Sequence, residues 1–226
     1  MISSWDIADS YDLRLGMVNE QLESRGIHDQ EILKVFKNTP RHIFVPNASL
    51  YDAYSDRPLA IKAGQTISQP YIVALMMQYL DLSSTHEILE IGSGSGYATA
   101  LLSKLCHHVD ALEVYADLVQ TSRIALNRLD LNNVSVQHRS AWEQLESPKV
   151  YDRIILWASP PRIPEHLFDS LSDEGILVAP EGKSDQFVWV FTKQAGEIKR
   201  ERKEPVRFLP LVQGTVSEID NNSRGI

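Results

Sequence analysis

Ile88-Leu89-Glu90-Ile91-Gly92-Ser93-Gly94-Ser95-Gly96-Tyr97 decides the fold of this chain. Four residues that suit a short buried strand run straight into three glycines at alternate positions, and residues 98–105 then read as a helix. Glycine lacks a Cβ, so the chain can turn sharply there and aim its backbone N–H groups at a ligand lying on the helix N-terminus. Strand, glycine turn and helix, in that order, form the first unit of a parallel α/β sheet.

Toward the C-terminus the unit repeats. Residues 109–114 read as a second strand with a helix over 118–129, residues 134–138 as a third strand and 151–157 as a fourth. A helix over 164–171 and a fifth strand over 175–180 follow. This alternation predicts a doubly wound, mostly parallel sheet with helices on both faces. Two further runs of β-formers, 187–192 and 206–211, with a turn at Gln194-Ala195-Gly196-Glu197, predict an antiparallel edge and a seven-stranded sheet. The order of these last two strands is left open.

Toward the N-terminus the pattern is helical. An amphipathic helix over 10–25 ends at Gly26, Asp29 caps a second helix that Pro40 stops, and a third opens at Gln69-Pro70. Residues 47–63 read as irregular chain with a short helix. The expected organisation is a single domain: an N-terminal helical cap and loop over 1–80, an α/β core over 87–212 and a loose polar tail over 213–226.

Composition narrows the classes. A chain of 226 residues suits one α/β domain, and its net charge of −8 argues against a nucleic-acid partner. The basic stretch Lys199-Arg200-Glu201-Arg202-Lys203 reads as a solvated hairpin arm. With Cys106 as the sole cysteine, no intrachain disulfide can form. Met1-Ile2-Ser3-Ser4-Trp5-Asp6 has neither the basic start nor the apolar run of a signal peptide, and no apolar run approaches the ~18 residues of a membrane span. The expectation is a cytoplasmic, monomeric protein without a membrane partner.

The glycine turn carries the first functional signal. The dinucleotide fingerprint requires a third glycine at position 97, which is Tyr97 here. The Gly-x-Gly-x-Gly spacing instead resembles that of S-adenosylmethionine-dependent methyltransferases. Glu113, closing the second strand, is a carboxylate placed to accept hydrogen bonds from both ribose hydroxyls. Glu90 is placed to act near the methionine amine, or to be a solvated strand-end acid. Ser159-Pro160-Pro161-Arg162 resembles the motif of amino-methylating nucleic-acid enzymes, but Arg162 replaces the aromatic that would stack on a flipped base. Cys106-His107-His108 lacks the companion ligands of a metal site, and none is expected.

Beyond the turn, the sequence resembles protein-L-isoaspartate O-methyltransferases over residues 17–211. The likeness rests on Pro40-Arg41-His42-Ile43-Phe44-Val45-Pro46, Ala53-Tyr54-Ser55-Asp56 and above all Gly64-Gln65-Thr66-Ile67-Ser68-Gln69-Pro70-Tyr71-Ile72-Val73. Pro160-Pro161-Arg162-Ile163-Pro164 and Val206-Arg207-Phe208-Leu209-Pro210-Leu211 agree as well. The resemblance implies a Rossmann-like methyltransferase fold and transfer of a methyl group from S-adenosyl-L-methionine to the α-carboxylate of L-isoaspartyl residues. The products would be S-adenosyl-L-homocysteine and an ester that re-forms a succinimide, beginning protein repair.

By position, Ser68 is the active-site hydroxyl, and Thr66 and Ile67 shape the pocket toward cofactor and acceptor. Gly92, Ser93, Gly94, Ser95, Gly96 and Glu113 hold the cofactor. Where the family has Gly-Asp-Gly, this chain has Arg139-Ser140-Ala141. Ser140, with Ala141 beside it, would then receive the adenine amino group through a weaker neutral hydrogen bond. Ala60-Ile61-Lys62 and Trp157-Ala158-Ser159 also replace Pro-Ile-Gly and a smaller Thr-Ala-Ala-type segment.

The acceptor chemistry agrees. A carboxylate is already ionised at neutral pH, so attack on a sulfonium methyl needs alignment rather than a general base. Ser68 can orient one carboxylate oxygen, or cap the helix beginning near Pro70. Two other readings stay open: a carboxylate methyltransferase with one dedicated peptide or protein substrate, and a cofactor-binding protein without catalysis.

Overall fold

The computed structural model describes residues 8–143 and 149–219. Helix α1 (Ala8–Gly16) continues as π-helical turns over Met17–Leu22 and a 3₁₀ turn over Glu23–Arg25, ending at Gly26 with φ 95°. The expected helix over 10–25 therefore exists but changes pitch midway, and the wider turn keeps Met17, Val18 and Leu22 buried together. Asp29 caps α2 (Gln30–Lys37), its Oδ1 accepting the N–H groups of Glu31 and Ile32 at 2.9 and 3.0 Å.

After the short α3 (Leu50–Ala53) comes a small hairpin that periodicity does not reveal. It pairs β1 (Leu59–Ala60) with β2 (Thr66–Ile67) and turns through Ala63 and Gly64, both left-handed at φ 56° and 65°. Helix α4 (Pro70–Tyr79) starts with Pro70 at its first position. Val73, Ala74, Leu75, Met76 and Met77 are all buried, as a helix sandwiched between cap and sheet requires.

The core then runs β3 (Glu87–Ile91), α5 (Tyr97–Ser103), β4 (His108–Glu113), α6 (Ala116–Arg128), β5 (Val134–His138), β6 (Tyr151–Leu156), α7 (Glu165–Asp169), β7 (Leu171–Glu181), β8 (Gln186–Gln194) and β9 (Glu197–Val206). The seven strands lie in the order β5-β4-β3-β6-β7-β8-β9, parallel up to β7 and antiparallel beyond it. From β3 the chain first winds outward through β4 and β5, then returns to place β6 on the other side. That reversal opens a crevice at the carboxyl ends of β3 and β6. Alternate residues feed two apolar layers: Ile88, Val109, Ala111 and Ile155 pack toward α4, α5 and α6, whereas Leu89, Ile91, Ile154 and Leu156 pack toward α7.

Two expectations need revision. The outer hairpin strand is not 206–211 but the charged stretch Glu197–Val206, paired to β8 through Ala195 and Gly196. Reading β-formers alone misplaces it, because an edge strand is protected by exposed charge. Here Arg200 and Arg202 also cover Trp189 and Phe187 on β8, each 4.8 Å from the ring centre. Residues 207–211 instead leave the sheet and return to the crevice through a bridge between Ser159 and Pro210.

The tail is also ordered at its start. Thr215 and Glu218 exchange backbone hydrogen bonds as a capping box, and Ile219 is buried. The remainder of the tail, and the N-terminal Met1–Asp6 stretch, lie outside the described residues.

Candidate active site

A cavity of about 1080 Å³ opens at the β3/β6 crevice. Its floor is the glycine turn. Gly92, Gly94 and Gly96 all adopt left-handed φ, at 85°, 54° and 90°, where glycine escapes the steric cost that a Cβ brings. Glu113 stitches this turn together: one carboxylate oxygen accepts Gly94 N–H at 2.8 Å and the other accepts Tyr115 N–H at 3.0 Å. Burial pushes the Glu113 carboxyl above its ordinary range, against the pull of those backbone donors.

Glu90 is not a solvated strand-end acid. It is fully buried, accepting the Thr99 hydroxyl at 2.5 Å and the Trp157 indole N–H at 2.8 Å.

The hairpin carrying Ser68 leans directly on the turn. A Cβ added to Gly94 would sit 3.4 Å from Ile61 Cδ1, and Gln65 Nε2 donates to the Tyr115 hydroxyl at 3.4 Å. Thr66 and Ser68 therefore share one cavity with Gly92, Gly94 and Glu113, while Ile67 turns into the core beneath.

What caps α4 bears directly on Ser68. The N-cap residue is Gln69, whose side chain makes no capping bond. The cap comes from Asp56, fifteen residues earlier, whose Oδ1 accepts Tyr71 N–H at 3.0 Å while Oδ2 holds Arg25 at 2.5 Å. Ser68 is half-buried, and its hydroxyl has no hydrogen-bond partner among the described residues. The capping role is taken by another side chain, so the hydroxyl is left to the cavity. Replacing Asp56 with alanine is expected to cost about 0.5–2 kcal/mol. That lowers the melting temperature by roughly 1–8 °C. Asp56→Asn, which retains an acceptor, should recover most of the loss in a thermal scan.

Other expected residues fall differently. Ser140 is fully buried, its hydroxyl accepts Trp142 N–H at 3.2 Å inside its own turn, and it is not among the residues that line the cavity. Its neighbours Arg139 and Ala141 do line the cavity. Ser93, Ser95 and Gly96 lie in the turn behind the wall rather than on it. Lys62 is exposed at the hairpin and does not line the cavity.

Sequence reasoning missed Tyr115 and the strap of residues 205–212 that closes one side, and it did not assign Trp157, which lines the cavity, a place in the site. For the strap, the signals were Pro210, which interrupts strand alternation, and the resemblance of residues 206–211 to the family.

The residues present fit an adenosyl cofactor with an aminoacyl end. Left-handed Gly92 and Gly94 bring bare backbone to the cavity, and a carboxylate, Glu113, stands on its lining at the end of β4. Elsewhere, among the described residues, no group of three or more His, Cys, Asp and Glu side chains is disposed to hold a metal.

Comparison with known proteins agrees with this geometry. The family model described as protein-L-isoaspartate(D-aspartate) O-methyltransferase matches residues 15–216. A protein-L-isoaspartate O-methyltransferase of Pectobacterium carotovorum subsp. carotovorum is 41% identical over 204 residues, covering 90% of this chain and 98% of its own. One from Yersinia pestis is 43% identical over 197 residues, covering 87% and 95%. Among solved structures, a Plasmodium falciparum protein described as a protein-L-isoaspartate O-methyltransferase, crystallised with S-adenosyl-L-homocysteine, superposes with a TM-score of 0.80 at 27% identity, covering 89% of this chain and 99% of that one. Since glycine turn, Ser68 segment and sheet order all fall within the matched span, the chain belongs to the protein-L-isoaspartate(D-aspartate) O-methyltransferase family.

Proposed function

We propose that this protein transfers a methyl group from S-adenosyl-L-methionine to the α-carboxylate of L-isoaspartyl residues in damaged proteins and peptides, beginning their repair through a succinimide. The observation that carries the reading is the Ser68 hydroxyl, without a hydrogen-bond partner among the described residues, in one cavity with the glycine turn on which its hairpin leans through Ile61. When bound, the cofactor supplies an electrophilic methyl on a sulfonium sulfur. Gly92, Gly94 and Glu113 are the residues that would hold it, with Tyr115 beside them.

Ser68 donates one neutral hydrogen bond to an acceptor carboxylate oxygen and leaves the other oxygen nucleophilic, whereas an arginine fork would occupy both. The acceptor arrives ionised, so no side chain has to remove a proton. The apolar walls from Ile72, Leu75 and Phe208 exclude water, and alignment of this kind can supply ~7–11 kcal/mol.

Although the whole chain is acidic, the cavity is lined by Arg25, Arg139, Lys183 and Arg207 against Glu113 and Glu204. That local excess favours an anionic peptide acceptor. A nucleic-acid partner, which net charge −8 repels, is not part of the reading. A monomer and a cytoplasmic location complete it. The single cysteine, Cys106, is free and buried, as a reducing compartment allows, and among the described residues no helix is long and apolar enough to cross a membrane.

Incubation with methyl-labelled cofactor and a matched pair of isoaspartyl and aspartyl peptides tests the proposal. Base-labile label on the isoaspartyl peptide alone is the expected result. Label on neither peptide would leave a dedicated substrate or a non-catalytic binder, and base-stable label would indicate nitrogen methylation.

A further inference from the structure

The Ser159-Pro160-Pro161-Arg162 stretch, which the transfer step leaves unused, borders a second opening beside the main cavity. This groove, of about 610 Å³, lies between Trp142, residues 161–165 and the turn that joins β7 to β8. Lys183 lines both openings, so the groove continues the cavity rather than standing apart from it.

The banks of the groove are fastened to each other. Gly182 N–H donates to Pro160 O at 3.0 Å, the Ser159 hydroxyl donates to Gly182 O at 3.1 Å, and Ile163 N–H donates to Glu181 Oε2 at 3.1 Å. Gly182 adopts φ 138°, and a Cβ there would sit 2.2 Å from Asp185 O, so the turn closes tightly just before Lys183. Trp142 is tied to the strap, its Nε1 donating to Val212 O at 2.8 Å.

What these fixed banks present is charge. Arg162 and Lys183 are exposed, and among the described residues neither side chain has an ion-pair or hydrogen-bond partner. Glu165 is the single acid among the described residues on the lining. The groove therefore carries a net positive charge on a chain whose total is −8.

We propose that this groove is an acceptor subsite that takes an acidic side chain, aspartate or glutamate, lying a few residues from the isoaspartyl residue of the substrate chain. The inference rests on the methyl-transfer reading above and adds to it a preference among damaged sites. Charge complementarity and continuity with the cavity select this occupant. A carboxylate can take a forked pair of hydrogen bonds from Arg162 and the point charge of Lys183, whereas a basic side chain would meet two like charges. Both cations are exposed, so the gain is that of a solvated pair, modest and sensitive to salt.

A set of isoaspartyl peptides tests this, identical except for one glutamate, glutamine or lysine moved stepwise along either flank. At the positions that reach the groove, glutamate should exceed glutamine in kcat/KM by roughly three- to fivefold, through KM with kcat unchanged. That advantage should shrink toward parity between about 0.05 M and about 0.5 M salt. Arg162→Gln should bring the glutamate-to-glutamine ratio near one at those positions, and Arg162→Lys should restore part of it. Arg162→Glu should reverse the order and favour lysine there.

Equal kcat/KM for glutamate and glutamine at every position in the parent protein would overturn the proposal. So would an Arg162→Gln loss that is the same for all three peptides, which is the mark of a disturbed loop rather than a lost contact. No methylation of any isoaspartyl peptide would overturn the methyl-transfer reading and this inference with it.

Discussion

Ser68→Ala is expected to lower turnover of an isoaspartyl peptide by on the order of 10²-fold while leaving S-adenosyl-L-homocysteine affinity nearly unchanged. The size of the effect follows from what the hydroxyl does and does not do in the fold. It caps no helix, since Asp56 already occupies the start of α4, and it has no hydrogen-bond partner among the described residues. Deleting it should therefore leave the melting temperature within about 2 °C, because changes without lost contacts stay near ±0.5 kcal/mol. What is lost is the alignment of an acceptor oxygen, and misplacement of reacting groups by about 1 Å can cost 10²-fold. Initial rates, a thermal scan and calorimetry on one preparation separate the three quantities. Full turnover in the variant would remove Ser68 from the reaction. A large fall in melting temperature would mean that the segment's stability, not substrate placement, depends on it.

The Ser68 segment shows what the sequence makes legible and what it hides. Strand, glycine turn and helix announce themselves locally, because glycine spacing and apolar runs are properties of neighbouring residues. The element types from β3 through β7 follow from them, to within a residue or two at most ends. Asp56 capping α4 could not be read this way. Nothing local links a loop aspartate to a helix fifteen residues on, and Ser68 itself has the composition of a cap. Ser140 is a related case: position points to an adenine acceptor, and the hydrogen bond its hydroxyl accepts from Trp142 within its own turn was not legible beforehand. At β9 propensity pointed the wrong way, since the outermost strand is charged and the apolar 207–211 stretch serves the cavity. Propensity describes the interior of a sheet better than its edge. Glu90 sits between these cases. Its position was visible, but one of its two hydrogen-bond donors, Trp157, arrives 67 residues later.

Gly96→Ala should be the most destabilising single-methyl change in the glycine turn, and comparison with Gly196→Ala isolates the reason. Both glycines are left-handed, at φ 90° and 78°. An alanine at either place therefore meets the steric cost of about 1–2 kcal/mol that L-residues incur there. At Gly196, in the β8–β9 turn, a new Cβ meets nothing within 4 Å, so that cost is the whole effect. At Gly96 the same Cβ lies 3.0 Å from Ser122 Cβ and 3.3 Å from Ser122 Cα. Ser122 is fully buried on α6, and a Cα cannot rotate away, so helix α6 has to move relative to α5. Overpacking of this kind adds about 1–3 kcal/mol. With about 2–4 °C per kcal/mol for a chain of this size, Gly196→Ala should lower the melting temperature by roughly 3–6 °C and Gly96→Ala by roughly 10 °C. Displacement of α6 also pulls on Tyr115 and hence on the Glu113 bond to Gly94. The stabilisation gained on adding S-adenosyl-L-homocysteine should then shrink in Gly96→Ala and persist in Gly196→Ala. Equal losses in the two variants would show that left-handed strain alone requires Gly96. In that case the close approach of α5 to α6 would not be what fixes the third glycine of the turn.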